Sequence, residues 1–136
     1  MDGFQEISDV IVVAATNRPE ILDPAIVRPG RLSESIYISL PDIQARSDIL
    51  NIGCRGMVLS DDVDLVGLSA STKGYSGAEI IQLCSNAGYN SIQRSLEDDS
   101  IHKVDFDKAL IEVRPQVDLQ LIATYEKFSK ASALMK

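Results

Sequence analysis

At 136 residues the chain is long enough for one domain with a real core or for two small subdomains. Its 13 basic against 20 acidic residues give a net charge of −7, which argues against a general nucleic-acid backbone binder, a class that needs a positive surface. A composition 45% hydrophobic and 24% charged is that of a globular chain and not of a disordered one.

In chain order, the acidic start (Asp2, Glu6, Asp9) is wrong for a signal or transit peptide. Val10 to Ala15 is a continuous apolar, β-branched run, which predicts a strand covered on both faces as in a parallel α/β sheet. It ends on Thr16-Asn17. Asp23-Pro24 reads as a helix start, with Asp as N-cap and Pro where its missing N–H costs nothing. Arg28-Pro29-Gly30-Arg31 then sets two arginines around a Pro-Gly bend. Ile36 to Leu40 reads as a second, shorter strand closed off by Pro41.

Beyond Leu40/Pro41 the pattern becomes all-helical. Asp42 can cap a helix carrying Ile43, Ile49, Leu50 and Ile52, and Asp64 a short one with Leu65, Val66 and Leu68, stopped by Gly74. Ser76-Gly77-Ala78-Glu79 fits a capping box and opens the longest helix, with Ile80, Ile81, Cys84, Ala87 and Ile92 as its inner face. Asp105 can cap a helix with Phe106, Ala109 and Leu110 that ends before Pro115. Asp118 begins a last one, on which Leu121, Ile122, Tyr125 and Phe128 share a face. Three segments result: 1–40 α/β, 41–114 helical, and 115–136 a C-terminal helix. Cys54 and Cys84, with His102 the one histidine, lack metal-ligand spacing; a disulfide framework or zinc site is not expected, and a reducing intracellular compartment is. No apolar run approaches the length of a membrane span.

Taken bare, Asn17 after a strand is a turn former, and Arg28 and Arg31 are solvated arginines at a bend. In their order and spacing, with Arg28 eleven residues after Asn17, they resemble the second region of homology of the AAA ATPases. That resemblance implies that Asn17 orients the attacking water. It implies that Arg28 and Arg31 are arginine fingers stabilising charge on the γ-phosphate of a neighbouring subunit.

The helical part resembles the family's lid. Pro41-Asp42, Arg46 and Ile49-Leu50 match its first helix, and Gly74-Tyr75-Ser76-Gly77-Ala78-Glu79 its Gly-x-Ser-Gly-Ala-Asp/Glu turn. A helix start with Gly77 allows close backbone approach to a ligand, while the plain alternative is a well-capped helix. By resemblance Ile49, Gly53, Gly77 and Ala78 stand on the adenine side of ATP, with Gly53 where many relatives carry a polar side chain. The implied fold is α/β: the terminal strands of a parallel αβα core followed by an all-α lid.

No glycine is followed by Lys-Ser or Lys-Thr, so there is no Walker A loop, and no apolar strand ends in paired carboxylates to hold Mg²⁺. Met1-Asp2-Gly3-Phe4 resembles the stretch that follows the Walker B strand in full-length relatives, so Mg²⁺ would come from the other half of the domain. Ser33-Glu34 depart from the usual Asp-basic pair after the second finger. The resemblance implies a homo-hexameric ring that couples ATP hydrolysis to remodelling proteins or pre-ribosomal particles, in the cytoplasm or nucleus, with no direct nucleic-acid or membrane binding.

Within the family, Tyr75 to Ile80 and the ending Tyr125-Glu126-Lys127-Phe128 look most like the second ATPase domain of two-domain members. The nearest branch is the diazaborine-resistance and spermatogenesis-associated ATPases of ribosome maturation; the valosin-containing-type unfoldases come next. The alternative from another class is a non-enzymatic module that docks onto an AAA ring.

Overall fold

The computed structural model describes residues 10–28 and 30–134; the acidic start, the Met1–Phe4 resemblance and Pro29 lie outside them. Among the described residues there are five α-helices: α1 (Ile43–Gly53), α2 (Leu65–Ser71), α3 (Gly77–Arg94), α4 (Lys103–Glu112) and α5 (Leu119–Leu134). Two compact units form. One is Ser39–Val117, and the other combines the segment up to Ile38 with the segment from Asp118 onward.

In the Ser39–Val117 unit, α3 packs on both α1 and α4, and α1 also packs on α2. The helix starts follow from local side-chain chemistry. Asp42 Oδ1 accepts from the Ala45 N–H at 2.8 Å, and Asp64 Oδ1 accepts from the Val66 N–H at 3.0 Å. Each satisfies a donor that the first turn leaves over, a contribution of about 1 kcal/mol. Gly74 takes φ +87°, which suits glycine just past the end of α2. The Ser76–Glu79 box is formed: Ser76 Oγ accepts from the Glu79 N–H at 3.4 Å, and Glu79 Oε2 accepts from the Ser76 N–H at 2.6 Å.

The buried stripe of α3 is Ile80, Leu83, Cys84, Ala87, Asn90 and Ser91. That is the i, i+3, i+4, i+7 pattern begun at Ile80, so Ile81 and Ile92 fall off it and are 40% and 59% exposed, against the expectation. Asn90 takes a core position because its Nδ2 donates to the Asp105 carbonyl at 3.2 Å. Helix α4 starts two residues before the expected cap, after His102. Asp105 sits in its first turn and accepts from the His102 N–H at 2.9 Å. Buried Asp105 is also paired with Arg94 Nε at 3.2 Å. Leu50, Ile80, Leu83, Cys84 and Phe106 fill the centre.

Two loops of this unit meet. Leu59 and Ile101 form a single parallel bridge, with the Ile101 N–H donating to Val58 O at 2.8 Å and the Ser60 N–H to Ile101 O at 3.0 Å. Arg46 is buried, its Nε donating to the Ser69 carbonyl at 2.9 Å and its Nη1 to the Pro41 carbonyl at 3.0 Å. Tyr75 hydroxyl donates to the Val113 carbonyl at 2.6 Å.

In the other unit the described residues contain no strand, where the α/β expectation has two. Val10 to Ala15 and Ile36 to Leu40 carry strand composition but no ladder. A strand of a parallel sheet is held by neighbours on both edges and covered on both faces, and no such neighbour is present among the described residues. Ile11 is 89% exposed and Ile36 86%. Asp23-Pro24 opens a turn and not a helix. Asp23 Oδ1 accepts from the Ala25 N–H at 2.8 Å, and the Leu32 N–H returns to Ile26 O at 3.1 Å, closing a loop before a second helical turn can form. A short 3₁₀ turn covers Pro19–Ile21. Helix α5 half-buries Ile122, Tyr125 and Phe128, whereas Leu121, expected on the same face, is 43% exposed. The Tyr125 hydroxyl donates to the Asn17 carbonyl at 2.6 Å, and its ring lies 6.4 Å from that of Tyr37.

Candidate functional site

Asn17, Arg28 and Arg31 belong to the unit that contains α5, and all three are exposed. Asn17 is anchored through its backbone carbonyl, which accepts from the Tyr125 hydroxyl. The bend after Arg28 forms as the Pro-Gly pair suggests. Gly30 has φ +83°, a value other residues reach only under strain, and the Arg31 N–H donates to the Arg28 carbonyl at 3.1 Å. Arg31 Nη1 also donates to the Ala25 carbonyl at 3.0 Å, which ties the guanidinium to the preceding loop.

Ile49, Gly53, Gly77 and Ala78 belong to the Ser39–Val117 unit. Ile49 and Gly77 are brought together: a Cβ on Gly77 would stand 3.6 Å from Ile49 Cδ1, and both are half-buried. Gly53, one turn along α1 from Ile49, faces α3. A Cβ there would lie 2.8 Å from Cys84 Sγ and 3.1 Å from Ile81 Cδ1, so the close approach of the two helices leaves no room for a side chain. Ala78 is exposed and lines a cleft of about 360 Å³ with Glu79, Gln82, Asn86, Glu112 and Arg114.

The start of α3 carries a negative charge beside two backbone donors already in use. Two donors that a helix start could offer an anion, the N–H groups of Ser76 and Glu79, are taken by the capping box. Partial burial works to raise the Glu79 carboxyl. The Ser76 N–H, the Ser76 hydroxyl and the Gln116 N–H outweigh it and hold the group below the ordinary carboxylate range, so a negative charge sits there at neutral pH. Ile49 and Gly77 leave an apolar surface beside that charge.

Comparison with known proteins gives two family matches in one order. Residues 1–40 match the ATPase family associated with various cellular activities (AAA), and residues 62–108 match the AAA+ lid domain. The chain carries the end of an AAA ATPase core and an AAA+ lid. It is 41% identical over 93% of its length to a cell division cycle protein 48 homolog of Archaeoglobus fulgidus, covering 19% of that protein. To the ATPase family gene 2 protein of Schizosaccharomyces pombe it is 37% identical over 96% of its length, covering 16%. To an ATP-dependent zinc metalloprotease FtsH 4 of Sphaerobacter thermophilus it is 44% identical over 81% of its length, again covering 16%. The chain thus spans less than a quarter of the length of such curated relatives. Among its described residues no helix is long and apolar enough to cross a membrane.

Several contacts that shape this lid were not legible in the sequence. Asn86 donates to Glu112 Oε2 at 3.0 Å and accepts from Gln82, which links α3 to α4 beside Ala78. Arg94 joins Asp98 and Asp105, and His102 Nε2 lies 3.1 Å from Asp98. The only local signal for this cluster was the i, i+4 spacing of Arg94, Asp98 and His102. Cys54 and Cys84, thirty residues apart, lie with their sulfurs 3.7 Å from each other.

Proposed function

We propose that this chain supplies the nucleotide-sensing and lid portion of an AAA ATPase whose homo-hexameric ring couples ATP hydrolysis to remodelling of proteins or pre-ribosomal particles. Asn17 positions the attacking water. Arg28 and Arg31 present guanidinium groups to the γ-phosphate of a neighbouring subunit, where phosphoryl transfer spreads charge over the equatorial oxygens. Ile49 and Gly77 cover the adenine, with the Gly53 backbone and Ala78 at the borders of that surface. ATP supplies the reacting phosphate, and its Mg²⁺ is held by residues outside this sequence's motifs.

The observation that carries this reading is the meeting of Ile49 with Gly77 at the start of α3, an apolar surface beside the Ser76–Glu79 capping box. The exposure of Arg28 and Arg31 supports a role toward another molecule.

A hybrid tests it: the chain replaces the matching segment of the Archaeoglobus relative. In that hybrid Arg28→Ala and Arg31→Ala should each lower turnover by about 10³-fold, the low end for an arginine finger, with ATP binding unchanged. Full turnover with both arginines replaced would remove the finger assignment. The isolated chain, lacking Gly-Lys-Ser/Thr, is expected to release no phosphate from ATP above background.

A further inference from the structure

We propose that Cys54 and Cys84 form an oxidisable dithiol that peroxides convert into a disulfide between α1 and α3. The two sulfurs come from the C-cap of α1 and the buried stripe of α3, and the fold sets them 3.7 Å apart with one thiol bonded to the other. The side-chain-free Gly53 is what permits this approach, because a Cβ there would stand only 2.8 Å from Cys84 Sγ.

The two thiols differ in access. Cys54 is 6% exposed, at the rim, while Cys84 is fully buried. They differ in chemistry as well. Hydrogen bonding from Cys84 draws Cys54 below the ordinary thiol value despite its burial, whereas the same bond and burial push Cys84 up. Cys54 is therefore the attacking thiolate and Cys84 the resolving thiol.

The step balances in two stages. The Cys54 thiolate attacks one peroxide oxygen; the O–O bond breaks, the leaving hydroxide takes the proton that Cys54 lost, and a sulfenic acid and water result. Cys84 sulfur then attacks the Cys54 sulfur; the S–O bond breaks and the Cys84 proton leaves with the hydroxyl as a second water. Two thiols are oxidised by two electrons and one peroxide is reduced. Burial of both sulfurs favours this internal closure over linkage between two chains.

The experiment treats the purified chain with hydrogen peroxide under native conditions and reads intact mass, thiols titrated in denaturant, and the peptide map. The expected result is the loss of two hydrogens, no remaining thiols, and one cross-linked peptide pair joining Cys54 to Cys84, all reversed by dithiothreitol. The oxidised chain should melt several degrees higher, since the bridge closes a thirty-residue separation. Cys54→Ser should abolish the mass change and leave Cys84 reduced. Cys84→Ser should stop at a sulfenic acid on Cys54 that dimedone traps. Because Cys84 is a core residue, the Cys54→Ser arm decides if Cys84→Ser does not fold. Two thiols surviving a treatment that oxidises the urea-unfolded chain would overturn the proposal. So would added oxygen without loss of hydrogen, or a linked dimer of the unaltered chain.

Discussion

At Gly53 an added methyl group would stand 2.8 Å from Cys84 Sγ, while at Gly77 it would meet Ile49 Cδ1 at an ordinary 3.6 Å. The two glycines flank one helix seam, and their substitutions should move stability in opposite directions. Gly53→Ala forces α1 away from α3 and is expected to cost about 1–3 kcal/mol, as overpacking does. Gly77→Ala makes only an ordinary contact at a helical position and should be neutral or stabilising by about 0.5 kcal/mol, through the lost freedom of the unfolded chain. Urea denaturation of the two variants checks both signs, and equal midpoints would refute the packing described. Neither outcome was legible in the sequence. Gly53 reads there as a position lacking a polar side chain, because the atom that crowds it belongs to Cys84, far along the chain on another helix.

At the scale of elements, the helix starts at Asp42, Asp64 and Ser76 were legible because a cap lies within three residues of the N–H it serves. The start of α4 was not. Asp105 has cap chemistry, but its carboxylate reaches back to His102 while pairing with Arg94 on another helix, and that tertiary demand sets the register.

This same junction carries an acid sensitivity. The Ser100 N–H, and then Arg94, hold the Asp98 carboxyl down to about 2. A carboxyl lowered in the folded state adds stability that is complete above its unfolded value, about 3.9, and is lost as pH falls toward the folded one. The melting temperature of the Ser39–Val117 unit should therefore hold steady from neutral pH down to about 5 and then drop progressively. Asp98→Asn should flatten part of that acid drop. Superimposable acid profiles for the variant and the parent chain would show that Asp98 contributes nothing there.

For the molecule as a whole, the division into two units decides what folds by itself. The helical unit holds the packed core, including Leu50, Ile80, Leu83 and Phe106. The segment before it leaves Ile11, Val13, Ile36 and Ile38 each more than 80% exposed. Residues 39–117 alone should unfold cooperatively at the midpoint they show in the full chain. The full chain should aggregate at concentrations where 39–117 stays monomeric, since exposed β-branched segments invite pairing with other chains. Light scattering with parallel thermal melts tests this; a full chain as soluble as 39–117 would contradict it. Here the sequence was informative about composition and silent about pairing. Val10 to Ala15 has the residues of a sheet strand, but a strand is a property of two neighbours and not of one segment.

The crossing of the loops at Leu59 and Ile101 leaves a timing signature. Two amides outside any helix, those of Ser60 and Ile101, are held in backbone bonds of 3.0 and 2.8 Å. Each joins the connection after α1 to the connection before α4, so releasing either one requires both connections to part. In hydrogen exchange these amides should swap protons as slowly as those at the centre of α3, and slow together when the lid is stabilised. Two loop residues would then serve as a clock for the opening of the whole helical unit.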